Sequence, residues 1–546
     1  MKIAVRQINT IIGDLDGNAE KIRAGYRRAK EAGADLAVFP ELSLVGYPPM
    51  DLVEKRAFRE ATTRKASELA AETDSTGLIF GAFDEDDDDV GTNVFNAAFF
   101  CFDGAVRGIQ HKTLIPNYDV FDEVRYYESA KSADVCHFKG KAIGVSVCED
   151  IWNDKDYWKR RLYPNDPVDQ QIKKGADILI NISASPYSHG KRVERRDMLA
   201  TVTRDNKTPL AYACAVGGQT ELIFDGASMC FDREGRLVKL GASGEEDFFV
   251  FDTEADYEEI VDVEGDFPEE VERALVVGLR DFFGKQGFTK AAIGLSGGID
   301  SAVVAALATK ALGAENVIGA TLPSKYSSDG SVADSLKLSE RLGIICHTLS
   351  IRQVVEAALE TLAPAIRPEP GSVTEQNVQA RARGLTMTAI ANETGALLLA
   401  TGNKSELAVG YATLYGDMAG ALAPIGDVYK TDVYRIAEWI NRDEELIPRE
   451  IIEKAPSAEL KPDQTDQDSL PPYETLDAIL RLYLEENLEC AEIVERVGEP
   501  DTVKRTLAMV DFNEFKRRQA APALRVSTKA FGYGRRFPMV QRWRKR

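Results

Sequence analysis

Three polar residues in the first half of the chain have the types needed to cleave an amide: Glu41, Lys112 and Cys148. A thiol attacks an amide carbonyl well only as the thiolate, and a neighbouring ammonium favours that form. A carboxylate can take the thiol proton and pass it to the leaving ammonia. The same ammonium can hold the oxyanion of the tetrahedral intermediate. Taken singly, Cys148 reads as a buried core thiol and Glu41 as a solvated loop residue; the chemistry lies in the set. A Cys-His hydrolase is the competing reading. The four histidines, His111, His137, His189 and His347, stand in no recognisable protease or amidotransferase signature.

A second constellation lies in the other half. Ser296-Gly-Gly-Ile-Asp-Ser301 joins a short apolar strand, 291–295, to an Ala/Val-rich helix expected over 301–312. Adjacent glycines allow a tight bend that brings backbone N–H groups close to a ligand. A helix N-terminus directly after such a bend attracts phosphate. Asp300 would repel that phosphate unless a Mg²⁺ ion sits between them. A bare Gly-Gly pair would be only a strand–helix turn. A Walker loop is excluded, since no Lys-Ser or Lys-Thr follows the glycines at the required spacing. Downstream, Thr401 could reach a nucleotide and Glu406 could share the Mg²⁺ with Asp300. Asn377, Arg381 and Gly384 recur at helical spacing, a face that is either solvated or presents an amide and a guanidinium beside a small gap.

The elements that must position these residues alternate throughout. Strands are expected at 3–7, 36–39, 78–83, 96–102, 142–147, 178–182, 227–231 and 248–251, with amphipathic helices at 18–32 and 168–174. This is an α/β layered pattern with function carried on loops at strand ends. An acidic stretch from Gly241 leads to Pro268, Glu269 and Glu270, a helix start, so a domain boundary is expected near 260. Beyond it the expected order is helix, strand 291–295, helix 301–312, strand 316–322, helix 331–342, strand 344–349, helix 374–394 and strand 396–401. That is the grammar of a doubly wound parallel sheet, which binds ligands at the carboxyl ends of its strands.

Composition narrows the class. The 546 residues exceed one ordinary core, which calls for two or more domains. At 44% hydrophobic and 28% charged, with no long apolar run, the chain reads as soluble, with neither a membrane span nor a signal segment. Seven scattered cysteines suggest free thiols in a reducing cytoplasm. A net charge of −21 argues against general nucleic-acid binding. The acidic run 84–89 reads as a solvated loop, and the tail from Arg535 carries six Arg/Lys and no acid.

The wording around these residues is more specific. The hexapeptide 296–301 resembles the pyrophosphate loop of the ATP pyrophosphatases. Phe39-Pro-Glu-Leu-Ser-Leu-Val-Gly-Tyr-Pro-Pro-Met-Asp-Leu52, the stretch from Leu114 to Tyr127 and Cys148-Glu-Asp-Ile-Trp152 resemble the nitrilase-type glutaminase domain of NAD synthetases. Leu322–Gly330, Thr374–Arg381, Thr401–Tyr411, Lys454–Pro462, Leu470–Tyr473 and Asn513–Pro522 resemble the synthetase domain. The resemblance runs nearly end to end, and two independent motif sets occur in order. It implies a nitrilase-like α-β-β-α sandwich over 1–260 and a Rossmann-like ATP pyrophosphatase domain over 261–546. It implies Glu41 as general base, Lys112 as oxyanion stabiliser and Cys148 as nucleophile. Tyr118, Ser185 and Lys191 are implied to hold glutamine, although the family commonly has Asp where Thr220 stands. It further implies ATP at Gly294, Leu295, Ser296, Gly297, Gly298, Ile299, Asp300, Ser301 and Thr401. Deamido-NAD is implied at Asn377, Glu406 and Lys516, and Mg²⁺ at Asp300 and Glu406. The implied reaction is ATP-dependent amidation of deamido-NAD with ammonia from L-glutamine, in a cytoplasmic homo-oligomer, dimer or larger, with no nucleic-acid or membrane partner. Ammonia is mostly ammonium at neutral pH, so a shielded path between the two centres is expected.

Overall fold

The computed structural model describes residues 1–86, 90–261, 263, 265–543; part of the acidic run and the last three residues of the basic tail lie outside the described residues. The chain divides into two compact units, Met1–Gly265 and Asp266–Arg546.

The first unit begins with β1 (Lys2–Gln7), α1 (Leu15–Glu31), β2 (Leu36–Val38), α2 (Arg56–Ala71), β3 (Gly77–Glu85), β4 (Val94–Phe102) and β5 (Ala105–His111). It continues with β6 (Val135–Phe138), β7 (Lys141–Val147), α3 (Pro167–Lys173), β8 (Ile178–Ser183), α4 (Lys191–Asn206) and β9 (Leu210–Cys214). The strands β10 (Val216–Gln219), β11 (Leu222–Asp225), β12 (Met229–Phe231), β13 (Leu237–Leu240) and β14 (Asp247–Asp252) complete it. Two six-stranded sheets result, ordered β14-β1-β2-β3-β4-β5 and β13-β12-β9-β8-β7-β6. Their central strands β1-β2-β3 and β7-β8-β9 run parallel.

Side chains alternate along each strand, and in the central strands both faces are apolar because both are covered. Ile178, Ile180 and Ile182 of β8 share a buried cluster with Ile3 and Val5 of β1, which is the seam between the sheets. Leu179 of β8 faces the other way, onto Met198, Leu199 and Val202 of α4. On the outer face of the first sheet, Ala4 and Ala37 pack with Ile22 and Tyr26 of α1 and Leu69 of α2. The unit is therefore an α-β-β-α sandwich. The strand pattern found most of the central strands but missed α2 and α4. The burial stripe of α4 is interrupted by Arg195, which is fully buried because Asp225 pairs with it at 3.1 Å. The acidic run is not wholly a loop, since Asp84 and Glu85 end β3 and Asp84 accepts from His111 at 2.9 Å. Thr220 sits in the turn between β10 and β11 with φ of 54°. That left-handed conformation suits the Asp of the resemblance far better than a β-branched residue, and nothing in the structure explains the threonine here.

The second unit contains α5 (Phe267–Gly284), β15 (Ala291–Gly294), α6 (Ile299–Leu312), β16 (Val317–Thr321), α7 (Asp329–Leu342), β17 (Ile345–Thr348) and α8 (Arg352–Leu362). Next come α9 (Val373–Thr394), β18 (Leu397–Leu399), α10 (Lys404–Val409), α11 (Lys430–Ile440) and α12 (Arg449–Glu453). The helices α13 (Tyr473–Leu484), α14 (Cys490–Val497), α15 (Pro500–Phe512) and α16 (Glu514–Arg517) follow. The sheet is fully parallel with the order β17-β16-β15-β18. The chain reverses its direction of winding between β15 and β18, the place where such a sheet opens a crevice at its carboxyl edge. The helix after the glycines starts at Ile299, two residues before the expected position, so Asp300 belongs to its first turn. The helix α8, whose one buried residue is Val355, was also missed by the sequence reading.

Candidate active sites

In the first unit Glu41 follows β2, while Lys112 and Cys148 directly follow β5 and β7. All three side chains are buried: Glu41 is 1% exposed, Lys112 0% and Cys148 3%. The Lys112 ammonium donates to Glu41 Oε1 at 2.8 Å. Glu41 is further fixed by Asn96 Nδ2 at 2.7 Å and by the Ala184 N–H at 2.7 Å, so its carboxylate is aimed by three donors. Cys148 adopts φ of 43°, a left-handed elbow at the start of a 3₁₀ turn, Cys148–Ile151. Such strain in a non-glycine residue is characteristic of functional positions, where it turns a side chain out of the strand direction.

Sequence reasoning missed Glu123. Its two oxygens both accept from Lys112 Nζ at 2.9 Å, and Oε1 also accepts from the Tyr47 hydroxyl at 2.8 Å. It lies inside the stretch Leu114–Tyr127 that carries the resemblance, yet an acid among Asp119 and Asp122 has no local signal. Burial alone would lower the Lys112 ammonium, but Glu123 and Glu41 outweigh it and hold it well above the usual range. Burial, followed by the Glu41 charge, pushes the Cys148 thiol well up, with Lys112 opposing. The expected help of the ammonium to the thiolate is thus offset, because Lys112 is shared with two carboxylates whose charges oppose it.

Of the residues expected at glutamine, Tyr118 and Lys191 lie against the segment that follows Cys148. The Tyr118 hydroxyl donates to Glu149, 2.9 Å from each carboxylate oxygen, and Tyr163 donates to the same carboxylate at 3.1 Å. The Lys191 ammonium lies 4.9 Å from the centroid of the Trp152 ring. Ser185 is buried, 3% exposed. Glu149 was also missed, although it is the neighbour of the proposed nucleophile. Burial raises its carboxyl, with Lys112, Tyr118 and Tyr163 pulling the other way.

In the second unit one cavity of about 280 Å³ is lined by the whole loop Gly294–Ser301 together with Thr401 and Glu406. Only the first glycine of the pair is required by its conformation. Gly297 has φ of 72°, and a Cβ there would lie 2.5 Å from the Ser331 carbonyl oxygen. A Cβ on Gly298 would meet nothing closer than Ser296 Oγ at 3.2 Å. The loop is braced internally. Ser296 and Ser301 hydroxyls are 3.1 Å apart, and Ser301 donates to the Gly298 carbonyl at 3.0 Å. The first amides of α6 have no intrahelical acceptor and face the loop's concavity.

The carboxylates expected to share a metal instead share an ammonium. Lys430 pairs with Asp300 Oδ2, and its Nζ is 3.4 Å from Glu406 Oε1. Asn403 caps α10 through the Glu406 N–H at 3.0 Å and donates to Asp300 Oδ1 at 3.0 Å. Lys404 and Ser405 face inward. Lys404 is held by Asp427 at 3.0 Å and Ser527 at 2.6 Å, and Ser405 bonds Asp477. Lys430 comes from a segment 130 residues beyond Asp300 and carried no sequence signal. Burial and the Asp300 charge push Glu406 up to about 8, against Lys430. Among the described residues no group of three or more His, Cys, Asp or Glu is arranged to hold a metal.

Asn377 and Lys516 do not line this cavity. Asn377 Oδ1 accepts from Thr413 Oγ1 at 2.9 Å, and Arg381 Nε donates to the Leu414 carbonyl at 3.1 Å. A Cβ on Gly384 would lie 2.6 Å from the Tyr415 carbonyl. The helical face is thus the bed of the 413–416 segment. The Lys516 ammonium donates to the Gly410 and Ala412 carbonyls at 2.7 and 2.8 Å, so it ties down the start of the same segment.

Comparisons with known proteins divide the chain similarly. A family model described as carbon-nitrogen hydrolase matches residues 2–261, and one described as NAD synthase matches 271–520. The chain is 42% identical to a glutamine-dependent NAD(+) synthetase of Synechocystis sp., over 99% of this chain and 98% of that protein. It is 41% identical to one from Thermotoga maritima, over 100% and 99%. The solved structure of a glutamine-dependent NAD+ synthetase from Acinetobacter baumannii, in complex with ADP, superposes with a TM-score of 0.78 at 35% identity, covering 99% of each chain. One from Cytophaga hutchinsonii gives 0.85 at 22% identity, covering 99% and 98%, a likeness of fold. No helix among the described residues is long and apolar enough to cross a membrane.

Proposed function

The chain belongs to the glutamine-dependent NAD(+) synthetase family, and from that premise we propose that it amidates deamido-NAD to NAD with ATP and glutamine. Residues 1–260 release ammonia and residues 261–546 use it. The observation that carries the reading is the coexistence in one chain of an aimed Glu41–Lys112 pair beside a strained Cys148 and a separate cavity walled by the 294–301 loop.

In the glutaminase, Tyr118, Ser185 and Lys191 hold free glutamine, with Glu149 receiving its ammonium group. Glu41 takes the Sγ proton as sulfur attacks the carboxamide carbon, and Lys112 donates to the forming oxyanion. The C–N bond breaks, Glu41 returns the proton to the leaving ammonia, and a γ-glutamyl thioester remains. Glu41 then takes a proton from the water that attacks the thioester, the C–S bond breaks to release glutamate, and Glu41 returns the proton to Sγ.

In the synthetase, the pyridine carboxylate oxygen attacks the α-phosphorus of ATP and pyrophosphate leaves onto the 294–301 amides. Ammonia then attacks the acyl carbon and AMP departs. Thr401 faces the nucleotide, while Asn377 and Lys516 serve the dinucleotide through the segment 410–416 that they hold. Asp300 and Glu406 fit a hard dication that arrives with ATP: both already reach toward one cation, and Glu406 remains poorly compensated. Mg²⁺ held there supplies charge neutralisation for the phosphates. Lys430 keeps the two carboxylates together.

We take the enzyme to be cytoplasmic, a reading supported by its seven free cysteines. The test is a coupled assay with glutamine, Mg-ATP and deamido-NAD, measuring NAD, glutamate, AMP and pyrophosphate. All four should rise in step. ADP and orthophosphate in their place would overturn the reading.

A further inference from the structure

Asp150 stands two residues after the nucleophile and is fully enclosed, 1% exposed. Its carboxylate makes three backbone contacts that tie together the ends of β5 and β7, strands of the two different sheets. Oδ1 accepts from the Thr113 N–H at 2.9 Å and the Leu114 N–H at 2.8 Å, the two residues directly after Lys112. Oδ2 accepts from the Val147 N–H at 3.0 Å, the residue directly before Cys148. The β5 and β7 ends that carry the cation and the sulfur are therefore fastened through one rigid group.

The resting geometry needs such a fastening. Lys112 is pulled toward Glu41 and Glu123, and Cys148 is held in a left-handed φ that relaxes if its flanks move. A carboxylate accepts from three N–H groups at once, whereas a neutral amide of the same shape offers one acceptor and adds two donors. Burial pushes this carboxyl up to about 7 even with those donors and Lys112 opposing, so retaining an acid here works against stability.

We propose that Asp150 is a positioning residue of the glutaminase, whose carboxylate sets the separation between the attacking sulfur of Cys148 and the oxyanion-binding ammonium of Lys112. The inference rests on the amide hydrolysis proposed above. It acts through Lys112 and Cys148 and touches no reacting atom, so glutamine binding by Tyr118, Ser185 and Lys191 lies outside its reach.

The experiment uses the full chain with ATP and deamido-NAD present, and reads glutamate release against glutamine concentration. In Asp150→Asn, Nδ2 is set against one of the backbone donors, and kcat should fall about 10²-fold, the order expected for a 1 Å misplacement, at an unchanged KM for glutamine. NAD formation from ammonium chloride should remain at the wild-type rate. Iodoacetamide, which needs no oxyanion cation, should label Cys148 as fast as in the wild type. Asp150→Glu keeps the charge and both acceptors but lengthens the arm by one methylene, and it should lose kcat at constant KM too. Wild-type kcat in either variant overturns the inference, as does a kcat loss accompanied by faster labelling in both, which would mean an opened elbow. Absence of glutamate release from the wild type itself would instead overturn the amide hydrolysis.

Discussion

The Lys112 ammonium is held by both carboxylate oxygens of Glu123, at 2.9 Å each, in addition to its 2.8 Å bond with Glu41. One buried cation cannot neutralise two buried acids at once, so Lys112 is shared and Glu41 is not locked to it as a simple ion pair. The second acid thereby leaves the first available for proton transfer.

Replacing Glu123 by Gln removes that second charge and leaves Lys112 to Glu41 alone. Glutamine-driven NAD formation should fall about 10²-fold, within the range for a compromised general base. Ammonium-driven NAD formation should be unaffected. Steady-state assays with each nitrogen donor check this, and equal losses with both would remove Glu123 from the glutaminase.

The Cys148 thiol lies well above the ordinary range, because burial and Glu41 both disfavour the thiolate. A raised pKa means that the free enzyme keeps the proton through neutral pH and loses it only at alkaline pH. Alkylation of Cys148 by iodoacetamide should therefore climb about tenfold per pH unit up to roughly pH 9 without levelling, since the thiolate is the reacting form. A plateau near pH 7, followed by mass spectrometry of the labelled peptide, would contradict the burial argument.

Gly297 and Gly298 should respond differently to alanine. At Gly297 the added methyl meets the Ser331 carbonyl at 2.5 Å in a backbone with φ of 72°, so the loop must move. Strain of about 1–3 kcal/mol is expected, with a raised KM for ATP or no synthesis. At Gly298 the nearest atom is a serine hydroxyl at 3.2 Å, and activity should be largely kept. ATP titrations of the two variants, with ammonium as nitrogen source, make the comparison.

Asp300→Asn should abolish NAD formation with glutamine and with ammonium alike. It removes one partner of Lys430 and one ligand available to a dication beside the phosphates, a loss of several kcal/mol in transition-state stabilisation. Cys148→Ala should instead lose only the glutamine-driven reaction. The two variants assayed side by side with both donors would show whether the centres are separable; an ammonium-competent Asp300→Asn would exclude the carboxylate from the chemistry.

Read alone, the sequence determined the two chemistries and the strands beneath them. A cysteine after an apolar strand and a glycine loop before an apolar helix are local features, each written within about ten residues, and hydrophobic periodicity survives without tertiary information. Tertiary structure decided the rest. Glu123, Asp150 and Lys430 gain their roles from partners 11, 36 and 130 residues away, distances at which a sequence carries no geometric signal. Enclosure decided the direction in which the Cys148 thiol shifts, since the cost of removing a charge from water depends on every neighbour in three dimensions. Asn377 and Lys516 look like ligand residues by type. The fold adds that Asn377 Oδ1 and Lys516 Nζ bond the 410–416 segment, because a carbonyl or hydroxyl brought within 3 Å satisfies a donor or acceptor wherever it comes from.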